Sequence, residues 1–352
     1  MKKHIASLFS ALTVLLAVSC KNEIPFDINE NPPKLVMNAF INADSLTNYL
    51  FLNLTGRRQP THVEDASLEV RVNGMLREKL RPMAVEATSP PRQCTFKLSG
   101  TFRPGDLVRI DARTADGLHH AWAEVTVPQR MTQALQVETA NASLRRHGAV
   151  QEFLCYKITL NDIPNEKNFY RLIVDKQTKW FSRFEERNLL HPENETLQGN
   201  KKILTETYHD YQYIFREDVV LTDGHPQSDA EEENGMFDNA SNVYGVFDDS
   251  RFENSPYTLT VYNNPSPQRY GGIQNILRYT VDVYIRLLSI TEAEYYYLKA
   301  LNIIDSDVFD EVLNEPISYP SNVHGGTGIV GISTEISKVI HLEDKDYEMK
   351  KQ

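Results

Sequence analysis

The chain has 352 residues, with 37 Lys+Arg against 48 Asp+Glu and a formal net charge of −11. That length allows about two domains, and the acidic balance excludes a general attraction to nucleic acid or to an anionic lipid surface. The excess is uneven, since Pro33 to Pro128 holds 12 basic and 10 acidic residues while Gln129 to the end holds 22 and 35, so two regions of different surface chemistry are expected.

Lys2, Lys3 and His4 precede a mostly apolar run from Ile5 to Ser19. It is shorter than the roughly 20 residues a bilayer crossing needs and reads as a signal peptide over residues 1–19. The run stops at LLAVSC, with small Ala17 and Ser19 directly ahead of Cys20. This resembles a bacterial lipobox, although Ala17 stands where Leu is commoner, and it predicts lipid attachment at Cys20. Two or more acyl chains would hold stably, each buried methylene contributing about 0.8 kcal/mol. An ordinary secretory signal with a chance cysteine is the alternative. Cys20 and the KNEIPFDINENPP that follows it, polar and aperiodic, read as a lipidated tether over residues 20–33. Lys21 and Glu23 resemble the short charged signal that sends many Bacteroidota lipoproteins to the outer face of the outer membrane.

From Lys34 to Pro128 the pattern alternates with period two. In LEVRVNG, Leu68, Val70 and Val72 share one face, and Asn73-Gly74 then supplies a hairpin turn that needs positive φ. LVRIDAR repeats the alternation, and Asp116-Gly117 turns into AWAEVTV. With KLVMNAFI and YLFLNL ahead of them, about seven short strands predict an immunoglobulin-like β-sandwich over residues 34–128, without the Cys…Trp…Cys core of antibody domains. Residues 132–346 are expected to form a larger, acidic, antiparallel β domain, barrel or sandwich. Its strand candidates are FLCYKITL, FYRLIVDK, YQYIFRE, YTLTVYN and LRYTVDVYIRLL, the last alternating strictly from Leu277 to Leu287. One helix is predicted at about 290–304, opened by Ser289 with Glu292 as a capping box and carrying Ala293, Tyr297, Ala300, Leu301 and Ile304 on its buried stripe. Of Tyr295, Tyr296 and Tyr297, Tyr295 is expected to be the more exposed.

Few motifs carry chemistry. Gly326, Gly328 and Gly331 in GGTGIVG have the G-x-G-x-x-G spacing of a dinucleotide loop, which works only between a strand and a helix N-terminus. Here β-branched ISTEISKVI follows and only 21 residues remain after Gly331. The segment is therefore expected as a strand whose glycines admit a bend or a close neighbour. The stretch from Asp223 to Glu253 carries nine carboxylates and one arginine. Its spacing fails the EF-hand pattern, with glycine one position late and Ala240 where the bidentate Glu belongs, so it reads as a solvated loop, a nonstandard calcium site being the alternative. His119 and His120, adjacent on a predicted strand, should point to opposite faces and share no metal. Cys94 and Cys155 are expected as buried thiols, a disulfide between them being the alternative. No catalytic, cofactor-binding or metal-ligating residue is assigned, because no nucleophile, zincin or Walker signature occurs. Carboxylate pairs for glycoside hydrolysis cannot be recognised from spacing.

The lipobox followed by EIPFD, the KLVMNAFI strand, FRPGDLVRIDARTADG ending in VTVP, VFDDSRFENSPYTLTV, EAEYYYLKAL and the closing EPISYPSNVHGGTGIVGIS together resemble the Bacteroidota lipoproteins of the domain-of-unknown-function 4249 family. The likeness runs from about Cys20 to Leu342, with Val330 where Phe is common and Asp248-Asp249 stretching the usual pattern. The resemblance implies a cell-envelope location and frequent genomic neighbourhood with TonB-dependent outer-membrane receptors, which makes such a receptor the expected partner, and it supplies no catalytic residues. The expected function is an outer-membrane, surface-exposed lipoprotein that binds a glycan or peptide as an accessory of TonB-dependent nutrient uptake. The alternatives are a structural or adhesive envelope protein and, behind it, an envelope hydrolase.

Overall fold

A computed structural model describes residues 32–56, 60–83, 94–146, 148–184, 195–198, 201–215, 217–225, 242–267, 275–304 and 319–346. Contacts divide the chain into Met1–Pro33 and Lys34–Gln352. The second unit is mainly β, arranged in several sheets. Its strands are β1 (Leu35–Asn42), β2 (Thr47–Leu54), β3 (Thr61–His62), β4 (Ala66–Val72), β5 (Met75–Leu80), β6 (Cys94–Ser99), β7 (Leu107–Thr114) and β8 (His120–Thr126). Then follow β9 (Gln136–Arg146), β10 (Ala149–Asn161), β11 (Phe169–Phe184), β12 (Glu195–Gln198), β13 (Lys201–Asp210), β14 (Val246–Asp248), β15 (Pro256–Asn263) and β16 (Ile276–Ile290). The helix α1 (Glu292–Ile304), the only one among the described residues, precedes the last strand, β17 (Gly326–Asp346).

Alternation drives the first layer pair. In β4 Ala66, Leu68 and Val70 are buried, in β7 Val108, Ile110 and Ala112, and in β8 Ala121, Ala123 and Val125. Side chains of a strand point alternately to its two faces, so each strand gives one apolar row. The sheet β5-β4-β7-β8 lays its rows against Leu35, Met37, Ala39 and Ile41 of β1, Leu50 and Leu52 of β2, and Phe96 and Leu98 of β6. The hairpin turn stands as the sequence predicts, with Asn73 and Gly74 both at positive φ.

Two long strands order the rest. β16 buries Tyr279, Val281, Val283, Ile285 and Leu287 as its alternation requires, and pairs antiparallel with β11 and β17. The β15-β10-β9 sheet faces this layer, Tyr156, Ile158, Leu160, Leu259 and Val261 meeting Leu172, Val174, Val283 and Ile285 in one core. Cys94 and Cys155 are both buried and free.

β17 departs from the expected purely antiparallel second domain. Gly326 to Ser333 pair in parallel with Leu35 to Asn42 of β1, and Thr334 to Asp346 pair antiparallel with β16. One sheet thus runs β12-β13-β11-β16-β17-β1-β2-β3 across the boundary expected at Pro128. Before joining β1 the chain crosses β8, where Trp122 and His324 exchange both backbone hydrogen bonds and stack their rings 4.1 Å apart. The Arg109 guanidinium also lies over the indole, at 4.0 Å.

The three glycines of GTGIVG are explained by their neighbours. A Cβ on Gly326 would strike the Leu35 carbonyl oxygen, and one on Gly328, whose φ is +110°, would strike that of Met37. A Cβ on Gly331 would run into the Glu294 carboxyl group of α1. The helix is capped by Thr291, whose Oγ1 accepts from Glu294 N at 3.3 Å, and not by Ser289, which is buried within β16. The buried face also differs from the expected stripe, which shares only Ala300 with it. Glu294, Tyr295, Leu298, Ala300 and Asn302 are the buried positions, so Tyr295 at 4% exposure is the inward tyrosine and Tyr296 at 43% the outward one.

Glu294 is enclosed, its Oε2 without a hydrogen-bond partner, and burial pushes its pKa up to about 7 while nearby Arg171 pulls the other way. Between about pH 4.5 and 7 the folded chain therefore holds a proton that the unfolded chain has lost. Stability from this group is full below that window and falls as pH rises through it, by on the order of 3 kcal/mol. Glu294→Gln should flatten this decline in urea melts taken from pH 4.5 to 8. Gly331→Ala should cost about 1–3 kcal/mol by overpacking, and Glu294→Ala in the same chain should recover part of it. Strictly additive losses in that double-mutant cycle would show that the two groups do not compete for one space.

Candidate functional site

A cleft of about 700 Å3 opens where α1, the segment after β13, the segment around β14 and the end of β9 come together. Helical spacing places Tyr295, Lys299, Asn302 and Ile303 on the wall that α1 supplies. Of residues 211–217, expected as a strand, the described ones make only one bridge, between Ile214 and Tyr262. Freed from a sheet, Tyr211, Tyr213 and Phe215 line the cleft.

Buried polar groups hold the walls in place. Asp218, 3% exposed, accepts from Val220 N at 3.0 Å and Leu221 N at 3.1 Å with Oδ1, and from Thr260 N at 2.7 Å with Oδ2. Burial raises its pKa, and these backbone donors act in the opposite sense. Asn242 joins three walls. Its amide nitrogen donates to Leu221 O at 3.0 Å and Val246 O at 2.8 Å, while its oxygen accepts from Val246 N at 3.0 Å and Asn302 Nδ2 at 2.9 Å. Asn302 in turn accepts from Tyr244 N at 3.0 Å. Gly245, at φ +65°, lies where any Cβ would meet Leu172 O and the Tyr213 hydroxyl, so the β14 segment can lie directly on β11.

Charge and apolar surface alternate around the rim. Lys299 Nζ donates to Asp223 Oδ2 at 2.9 Å and to the Tyr295 hydroxyl at 3.2 Å. Burial opposes its charge, yet these two hydrogen bonds win and raise its pKa. Tyr211 is 59% exposed, Val243 60% and Ile303 45%, and all three stand on this one cleft. The Tyr211 ring is stacked on His209, which Asp175 holds at 2.9 Å. Open apolar contact area beside a fixed cation suits a ligand site, and this lining provides both.

The sequence-derived candidates fall elsewhere or at the edge. Cys20 lies outside the described residues, as do residues 226–241 of the acidic stretch. Of its remaining carboxylates, Asp223 and Asp248 line the cleft. Asp249 instead accepts from Asn168 N at 2.7 Å and tethers the start of β11. His119 lies in the turn before β8, not on the strand, and with His120 lines a second, smaller cavity beside Arg81 and Arg113. Among the described residues no group of three or more His, Cys, Asp or Glu is placed to hold a metal. The cleft residues were missed because Y-x-Y-x-F has strand periodicity and because four segments far apart in sequence converge there. The excess of tyrosine, 17 against two tryptophans, was the one available signal.

No curated protein matches the chain. Residues 21–338 match the family described as Domain of unknown function (DUF4249). That match spans most of the chain, including every wall of the cleft, and the protein therefore belongs to the DUF4249 family.

Proposed function

We propose that this protein is a lipid-anchored, surface-exposed outer-membrane lipoprotein that binds a ligand in the cleft and serves a TonB-dependent receptor as an accessory. The cleft carries the binding half of this reading, through its rim of exposed Tyr211, Val243 and Ile303 beside Lys299. An apolar rim in water is unfavourable by roughly 25 cal/mol per Å2, a cost that a bound ligand removes. The anchoring half rests on Lys2, Lys3, the short apolar run and LLAVSC ending at Cys20, and the receptor on the resemblance noted in the sequence.

A second reading, an adhesive or structural envelope protein, is favoured by an aromatic surface away from the cleft lining. Phe40 and Tyr319 are each more than 40% exposed. Tyr297 lies 6.3 Å from Phe40 and 6.2 Å from Tyr319 between ring centroids. Such a patch suits docking against a large partner.

Two measurements test this, the first for the anchor and the second to separate the two readings. Palmitate labelling should be present in the full chain and lost in Cys20→Ala; labelling that persists removes the anchor. Extraction from membranes in mild detergent should bring a TonB-dependent receptor with the full chain. Recovery of the chain alone from cells that express the receptor counts against the accessory role and favours the adhesive reading.

A further inference from the structure

Three cations reach the cleft from three separate parts of the fold, Arg146 at the end of β9, Arg251 beyond β14 and Lys299 on α1. The two carboxylates of the lining both have hydrogen-bond partners other than Arg251. Asp223 is paired with Lys299, and Asp248 Oδ1 accepts from Ser250 N at 3.1 Å and Ser250 Oγ at 2.6 Å. Arg251 makes no ion pair with a described carboxylate. Its guanidinium lies against the bare Cα of Gly224, at φ +86°, where a Cβ would collide with it. The turn that carries Gly224 is closed by Gly224 N donating to Val219 O at 2.7 Å. An arginine fork is thus set against the wall of a cleft in a chain of net charge −11. Guanidinium donors in that setting match a carboxylate in two parallel hydrogen bonds.

The rest of the lining narrows what carries the carboxylate. The Tyr211 ring is fixed by its stack on His209 and stays open to solvent, a platform for the C–H face of a sugar ring. Gln212, Thr222 and His225 supply donors and acceptors for hydroxyls. An extended peptide docks by adding to a free strand edge, and several backbone groups of these walls are already taken. Ile214 N and O bond to Tyr262, Asn242 satisfies Leu221 O and both backbone groups of Val246, and Asp218 holds Val220 N and Leu221 N. Those groups are closed to a ligand, and the side chains of the lining carry the chemistry argued here. A volume of about 700 Å3 lies within the range of small-ligand sites.

We propose that the cleft takes a short acidic saccharide, with its carboxylate on Arg251 and a ring face on Tyr211; this rests on the cleft being the ligand site. The test is calorimetric titration of the full chain in mild detergent. The probes are di- to tetrasaccharides of galacturonate, glucuronate and mannuronate, their methyl esters, neutral oligosaccharides of the same length, and peptides rich in Asp and Glu. At least one uronate should bind, its methyl ester at least tenfold more weakly. Arg251→Gln should erase the difference between acid and ester, and Tyr211→Ala should weaken both at least fivefold. Circular dichroism should be unchanged in both variants, because both side chains are exposed. Esters or neutral sugars binding as tightly as the acids, or peptides binding in place of uronates, would overturn the saccharide assignment. If Tyr211→Ala still abolished that binding, the cleft would remain the ligand site. No binding by any probe, or binding indifferent to Tyr211→Ala, would remove the cleft reading as well.

Discussion

β17 divides its hydrogen bonds between two partners. Its first eight residues bond to β1 and the remainder to β16, so neither layer pair keeps a complete sheet without it. Each unpaired backbone group left at such a seam would lose a hydrogen bond worth about 1 kcal/mol net and would expose a strand edge open to wrong partners. This explains why the glycines sit where they do. Strand pairing brings β1 carbonyl groups against β17 at Gly326 and Gly328, and α1 lies over Gly331. Side chains there would force apart the surfaces that the shared strand holds together.

The helix carries this constraint to the cleft. α1 packs on β17 through Glu294 above Gly331, and the same turns of helix present Tyr295, Lys299 and Asn302 to the cleft. Asn302 then passes the position on through Asn242 to the turn at Leu221 and to Val246. Packing of a carboxyl group against a glycine on one side and an asparagine network on the other fixes where the ligand-facing side chains stand. The price is a buried carboxyl with an unpaired oxygen.

The local rules of the sequence were well legible. Period-two runs gave the strands of the first sandwich and the long alternation of β16, and the β-branched residues after Gly331 marked a strand where the glycine spacing suggested a nucleotide loop. Features set by distant partners were not. Nothing near Leu35 or Gly326 announces a parallel pairing across almost the whole chain. Ser289 and Thr291 are both competent caps, and the choice fell to Thr291 because β16 runs on through Ile290. Tyr211, Tyr213 and Phe215 have a strand's periodicity but border a cleft, since among the described residues only Ile214 of this segment finds a bridge partner, Tyr262 of β15. Arg251 could be recognised as a ligand-facing group only once Gly224 was seen beneath it.

The shared strand also sets an order of events. Asn38 of β1 and Ile329 of β17 are joined by a hydrogen bond spanning 291 residues. A chain made from its N-terminus presents the edge of β1 long before the strand that covers it exists. Non-local pairing of this kind is slow, because loop closure must precede the contacts that reward it. The first sandwich can collapse early around Leu50, Leu68, Phe96 and Ile110, yet it stays one strand short until the last residues arrive. Completion of the fold is therefore a late, whole-chain event, and a chain cut short anywhere before Gly326 would leave an adhesive edge exposed.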